Sequence, residues 1–299
     1  MARDEEKIQW LTSLPFLAMH AGCLLAFATG WSPVAIATGL ALFWIRMFGI
    51  TGVYHRYFAH ASYKTSRPFQ FILAWIACSS MQKGPLWWAS HHRHHHAHSD
   101  KPDDVHSPSQ RGFFWSHMGW ILCTKYEPTR WRLIRQFAGF QELVWLNEYH
   151  LVPGLTLAAA VFALGAWLEL HAPSLGTNGW QMLTWGFLIS TVAGYHATFT
   201  INSLSHVFGT QRFDTRDDSR NNWLLALLTM GEGWHNNHHH YPSSASMGFR
   251  WWEIDVTLYI LKALAAVGLV WDLKMPPPHL RLISFGTRSS HVDITPFVP

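Results

Sequence analysis

Apolar residues gather along this chain in two pairs of long runs. Residues 10–30, "WLTSLPFLAMHAGCLLAFATG", and 33–53, "PVAIATGLALFWIRMFGITGV", are separated only by Trp31 and Ser32. Each reaches the roughly 20 residues that a helix needs to cross a hydrocarbon layer about 30 Å thick. A second pair lies at about 149–170 and 180–204, joined by "HAPSLGTNG", a link of turn formers without Lys or Arg. The pattern predicts four transmembrane helices in two tight hairpins. Shorter apolar stretches at 69–82, 112–123 and 253–271 read as amphipathic or interfacial helices. No internal repeat and no long linker divides the chain. The expected architecture is a single all-α integral membrane domain over 1–299, with a helical cap formed by 54–140 and 205–299.

Charge orients this bundle. None of the 22 Lys and Arg residues lies between Gln9 and Ile45, and none between Gln136 and Gln211, whereas eleven fall between His55 and Arg135. Positive residues mark cytoplasmic loops, so both hairpin tips should face away from the cytoplasm and both termini and the cap toward it. Composition agrees: 49% of residues are hydrophobic and only 13% charged, and 18 tryptophans suit an interfacial belt. A formal charge of +4 is too mild to argue for nucleic acid. Cys23, Cys78 and Cys123 are odd in number and far apart, which argues against a disulfide framework or a thiol zinc site. The opening "MARDEEK" is too acidic to begin a signal peptide, so this end should be retained.

Chemistry is concentrated in histidine. Of 21 histidines, six fall within nine positions of "SHHRHHHAHSD" (90–100). Four groups stand out at the cytoplasmic ends of the spans or in the cap. "HRYFAH" holds His55 and His60, and "HRHHH" holds His92, His95 and His96. "NSLSH" holds Asn202 and His206, and "GEGWHNNHHH" holds Glu232, His235, His238 and His239. Two groups have i, i+3, i+4 spacing, which puts three imidazoles on one helical face. In the first run His91, His94, His95 and His98 make an equally good face. Neutral imidazole suits iron, zinc and copper, and nine rings exceed one tetrahedral site, so two metals is the natural count. His20, His150, His171, His196, His279 and His291 stand alone and read as structural or exposed. A transporter would place ligands at mid-membrane along a permeation path, whereas these gather at one end. A metal transporter or storage protein therefore remains only as the non-enzymatic alternative.

These motifs resemble the three histidine boxes and the additional Asn and His of membrane fatty-acid desaturases, in particular the stearoyl-CoA Δ9 branch. "QRGFFWSHMGWIL" (110–122) and "RNNWLLALLTMGEGWHNNHH" (220–239) extend the resemblance over most of residues 35–255. It selects His92, His95 and His96 over the alternative face, leaving His91, His94, His98 and His240 outside the ligand set. It implies two irons held by His55, His60, His92, His95, His96, His206, His235, His238 and His239, with Asn202 reaching one iron through water. Glu232 then orients a ligand. The implied reaction is oxygen-dependent removal of one hydrogen from each of two adjacent methylenes. Zinc has no redox chemistry with which to serve it.

The sequence has no Gly-rich nucleotide fingerprint, no haem signature and no iron–sulfur cysteine set. Electrons must therefore come from outside, by resemblance from a ferredoxin or small cytochrome with its reductase. The form resembled is the bacterial one without a fused cytochrome domain, in an inner membrane. The substrate implied is acyl-CoA desaturated at Δ9. "QKGPLWWASHHRHHH" also resembles desaturases of glycerolipid-bound chains, and a membrane di-iron hydroxylase uses similar boxes. Lys83, Arg130, Arg132 and Arg135 are the candidate anion contacts for the carrier. Helix geometry places Thr51, Met47 and Phe43 in a row four residues apart before His55, and this row is expected to line the acyl tunnel.

Overall fold

The computed structural model describes residues 6–282; His291 and the outermost parts of both termini lie outside them. Helix α1 (Trp10–Thr29) ends at Gly30, whose φ of +67° suits a residue without Cβ. Ser32 then caps α2 (Pro33–Ala59), its Oγ accepting from the Ala35 N–H at 3.1 Å. The same hydroxyl donates to Thr177 at 2.9 Å and so ties the two hairpin tips together. The apolar run ending at 53 therefore continues as one helix to Ala59, which carries His55 within it.

The last part of α2, Gly49–Ala59, is a π-helix. Its i→i+5 bonding explains the H-x4-H motif. The His60 N–H donates to the His55 carbonyl at 3.1 Å, and the two rings lie 4.8 Å apart at their centroids. On an α-helix a spacing of five would splay them.

Ser66 and Pro68 begin α3 (Arg67–Cys78). Of the two readings of its apolar run, amphipathic or interfacial, the structure shows the amphipathic one, with one face buried and Ile72 exposed on the other. Leu73, Ala74, Ala77 and Cys78 are buried against Val53, Tyr54 and Phe58 in the main core. At Gly49 a Cβ would sit 2.8 Å from the Ala77 Cα, so glycine permits this approach. The second histidine box lies on α4 (Pro85–His98), which opens with a proline in its first turn. The 112–123 stretch forms α5 (Phe113–His117) followed by a 3-10 turn.

After α6 (Gln141–Glu148), the second hairpin comprises α7 (Val152–His171) and α8 (179–203), the latter π-helical over Met182–Ile189. Among the described residues three helices, α1, α2 and α7, are long and apolar enough to cross a membrane. The fourth expected span, α8, is a continuous helix but not among them. Its second half carries Ser190, Thr191, His196, Thr198, Thr200 and Asn202. The cap adds α9 (Trp223–Leu228), α10 (His235–His240) and α11 (Val256–Ala266). It is not wholly helical: Lys64–Thr65 and Val270–Trp271 form a short antiparallel ladder.

Candidate metal centre

Four elements deliver nine imidazoles to one place. The π-helical end of α2 brings His55 and His60, and α4 brings His92, His95 and His96. The turn after α8 brings His206, and α10 brings His235, His238 and His239. They sort into two groups. In one, a ring nitrogen from each of His55, His60, His92, His96 and His238 lies within 4.8 Å of all the others; in the second the same holds for His95, His206, His235 and His239. Neighbours on one helix thus part company, His95 to one group and His92 and His96 to the other.

The spacing is that of a coordination sphere. Nε2–Nε2 separations are 2.9 Å for His60–His92, 3.0 Å for His92–His96, 2.9 Å for His96–His238 and 3.0 Å for His238–His55. His206 and His235 are 3.0 Å apart by the same atoms. Two ring nitrogens bound to one metal at roughly 2.1 Å and about 90° would lie about 3.0 Å apart. In the four-histidine group the Nε2 atoms of His95 and His239 are buried and have no hydrogen-bond partner. A buried unsatisfied nitrogen is costly; a metal at these positions would satisfy both. Such a donor set suits a divalent transition metal.

Carboxylates fix which nitrogen points inward. Glu232 meets His55 Nδ1 at 2.5 Å, Asp104 meets His95 Nδ1 at 2.8 Å, Asp100 meets His206 Nδ1 at 2.8 Å and Asp217 meets His239 Nδ1 at 2.7 Å. Each holds the Nδ1–H and leaves the Nε2 lone pair free for a metal. Arg56 is fully buried, pairs with Glu232 at 3.1 Å and Asp255 at 2.9 Å, and donates to the Ala245 carbonyl at 2.6 Å. Burial pushes His92, His96 and His238 well below the ordinary histidine value, with neighbouring rings adding to the shift. All three are therefore neutral lone-pair donors at physiological pH. Burial opposes ionisation of Asp100, yet its bond to His206 holds it down to about 2; Asp104 and Asp217 also lie below the usual carboxylate range, held by His95 and His239.

Two cavities adjoin the histidines. One of about 30 Å³ is lined by Met47, Ile50, Thr51, His55, His92, His95 and Asn202. The other, of about 310 Å³, shares Trp88, His92, His106, Thr198 and Asn202 with it, and reaches Phe16 and Met19 of α1 at one side and Lys83, Glu127 and His150 at another. Of the expected tunnel row, Met47 and Thr51 line the smaller cavity. Phe43 is not among its lining residues and packs against Met47, Ile50, Ala197 and Met230. Ile50 was not foreseen, because the row assumed α-helical phase where the backbone is π-helical.

The remaining histidines find other partners. His91 Nε2 meets the Pro128 carbonyl at 3.2 Å, His94 Nε2 meets the Asp103 carbonyl at 2.9 Å, and His240 stacks on Phe213. His20 and His196 do not stand alone: their Nε2 atoms are 3.1 Å apart. Sequence reasoning missed Asp100, Asp104 and Asp217, whose only signal was acidic residues just after one histidine box and before another. It also missed His106, buried beside His95 at a ring distance of 4.2 Å.

Comparison with known proteins gives one consistent result. Residues 29–271 match the fatty acid desaturase family. The chain is 36% identical to an acyl-CoA 5-desaturase of Anemone leveillei, over 89% of this chain and 80% of that one. It is 35% identical to an sn-1 stearoyl-lipid 9-desaturase of Anabaena variabilis, over 90% and 95% respectively. With an sn-2 palmitoyl-lipid 9-desaturase of Nostoc sp. it shares 33% identity, over 92% and 93%.

Proposed function

The chain belongs to the fatty acid desaturase family and is an oxidoreductase acting on fatty acyl chains; from that premise we propose that it uses two irons and oxygen to desaturate a long-chain acyl-CoA at Δ9. The observation that carries this reading is the division of nine imidazoles into a five-ring and a four-ring group around adjoining centres. Iron in these two groups would supply the redox chemistry that an unactivated C–H bond requires.

The chain's own residues do the rest. The nine histidines would hold the irons, and Asn202 would reach one of them through water. Glu232, Asp100, Asp104 and Asp217 orient the rings. Met47 and Thr51 wall the smaller cavity beside the histidines, on the path the acyl chain takes from the metals toward its methyl end, with Phe43 packed behind Met47. Enclosure by Trp88, Ile50 and Thr198 keeps bulk water from the reacting methylenes. Lys83, which lines the larger cavity, meets the anionic carrier, and Arg130, which contacts His94, is a second candidate.

The membrane layout is part of the same proposal. Four spans (α1, α2, α7 and α8) form two hairpins with their tips outside, in a bacterial inner membrane. The metal centre and both termini are cytoplasmic. Support comes from the absence of Lys and Arg between Gln9 and Ile45 and between Gln136 and Gln211. Electrons come from a separate ferredoxin or small cytochrome with its reductase.

The relatives named above act on both acyl-CoA and acyl-lipid, which makes a glycerolipid-bound chain the second reading. The test is to purify the protein, count iron, and supply NADPH, oxygen, a reductase and a donor with either acyl-CoA or phospholipid vesicles. About two irons and a monounsaturated product requiring the donor are expected. Product from vesicles alone would move the carrier to the lipid, and a hydroxylated product would sink desaturation. Within this assay Met47→Ala should favour longer chains and Met47→Trp shorter ones at unchanged double-bond position. An unchanged length profile in both would put the tunnel end elsewhere.

A further inference from the structure

Three histidines outside the metal centre join three separate elements. His20 lies on α1, His196 on α8 and His117 on α5. His20 Nδ1 lies 2.8 Å from the Phe16 carbonyl, so it must carry the hydrogen there, and its Nε2 is left as an acceptor. His196 Nε2–H therefore donates to His20 Nε2 at 3.1 Å. The other nitrogen of His196 then accepts from His117 Nε2–H at 3.0 Å. His117 Nδ1 lies 3.0 Å from the Ser203 Oγ, whose one hydrogen is shared between this ring and the Phe199 carbonyl at 2.9 Å. Three ring hydrogens thus make three bonds in one direction, from His117 to the Phe16 carbonyl. Ring stacking supports the line, with His117 and His196 5.3 Å apart and 19° from parallel.

The two ends of this line are in informative places. At one end, Ser203 follows Asn202, which lines both cavities beside the metal-facing histidines. The residue before His117 grips the same point: the Ser116 hydroxyl donates to the Asn202 carbonyl at 2.7 Å. Two consecutive residues of α5 thus hold two consecutive residues of α8. At the other end, α1 contributes Thr12, Ser13, Pro15, Phe16 and Met19 to the wall of the larger cavity. Ser13 is the one residue of this helix buried inside the protein, and α1 rests on α8 through Phe16 stacked on Tyr195 at 5.6 Å.

We propose that His117, His196 and His20 form a hydrogen-bonded strut that positions Asn202 beside the metal-facing histidines by bracing the end of α8 against α5 and the cavity-lining helix α1. The three act as positioning residues; none of them is a member of either metal-ligand group. The assignment rests on the metal reading given above for Asn202. His196 is the centre of the strut, because it alone bonds to both of the other rings, and no single-headed side chain can replace it. Removing it breaks two links at once and leaves the end of α8 that carries Asn202 held from α5 by the Ser116 bond and the His117–Ser203 contact.

The test is a double-mutant cycle read by Mössbauer spectroscopy on full-length protein loaded with enriched iron. Wild type should show two iron signals. Asn202→Ala should move one of them, His196→Ala should move that same signal, and the double variant should match Asn202→Ala. Iron content should stay at the wild-type level in all three. His196→Gln, which restores one link of two, should give an intermediate shift. If Asn202→Ala moves a signal while His196→Ala moves none, the strut is refuted and the role of Asn202 stands. If Asn202→Ala moves none, the role of Asn202 is refuted and the function of the strut with it. Loss of iron in His196→Ala, or an additional change in the double variant, would show a structural role independent of Asn202 and would also overturn the proposal.

Discussion

The five-histidine and four-histidine groups sit side by side but are built on different principles. In the first, five rings converge and one of them, His55, is held by a carboxylate, Glu232, whose charge is shared with Arg56. In the second, four rings converge and three are held by carboxylates: His95 by Asp104, His206 by Asp100 and His239 by Asp217. A carboxylate behind an imidazole fixes its tautomer and raises its basicity. The second group thus replaces one ring with two more anions and has the more negative surroundings. Where rings are plentiful, geometry is set by packing on π- and α-helical faces; where they are few, it is set by hydrogen bonds from outside.

The largest effects test whether both groups hold metal at all. His238→Ala and His206→Ala remove one ring from each, leaving a buried space where a ligand stood. Each should abolish turnover and lower iron per chain, measured by metal analysis of the purified variant. Full iron and activity in His206→Ala would reduce the comparison to a single centre with decorative neighbours.

A sharper contrast comes from the carboxylates. Asp217→Asn should weaken metal binding at the four-histidine group by roughly 10–100-fold, because a second-shell anion is lost behind a ring with few companions. Glu232→Gln should weaken the five-histidine group less, since four other rings remain. It should cost more in stability, because Arg56 loses one of two buried partners; breaking such a pair costs on the order of 3–5 kcal/mol. Asp255 still holds the guanidinium at 2.9 Å, which places this case at the lower end. Chelator competition and thermal unfolding of the same samples should therefore rank the two variants in opposite orders. The same order in both would show that the carboxylates serve the two groups alike.

Much of the site could be read in the sequence because its logic is local. His92, His95 and His96, and His235, His238 and His239, share a helical face by spacing, and "HRYFAH" carries its pair at i, i+5. What local spacing leaves open is which ring joins which group: His95 leaves His92 and His96 because α4 lies between the two centres. The orienting aspartates were illegible for the same reason, since Asp217 meets His239 across 22 residues and Asp100 meets His206 across 106. The π-helix over Gly49–Ala59 is the clearest lesson. Its signal was present in the H-x4-H spacing, yet the Phe43, Met47, Thr51 row assumed α-helical phase, so Ile50 was missed. In the bundle, hydropathy marked α1, α2 and α7 plainly. It left α3 open between amphipathic and interfacial because an apolar stripe looks alike whether lipid or Tyr54 and Phe58 cover it.

The smallest expected effect defines the edge of the comparison. His94 lies on the same helix as His92, His95 and His96, and spacing alone would make it a ligand of a rival face with His91, His95 and His98. In the structure its Nε2 faces the Asp103 carbonyl at 2.9 Å and its Nδ1 lies 3.2 Å from an Arg130 guanidinium nitrogen. Both nitrogens are thus engaged away from the two groups. Losing these contacts should cost about 1 kcal/mol of local stability, the net worth of an ordinary hydrogen bond. His94→Ala should accordingly keep its iron and turn over within about twofold of wild type, and His240→Ala, stacked on Phe213 rather than facing a metal, should do the same. The control is His95→Ala, one position on, which removes a ring backed by Asp104 and should be inactive. An inactive His94→Ala beside a normal His95→Ala would mean that the helix presents its other face to the metals. The division into five and four rings would then have to be redrawn from the second box outward.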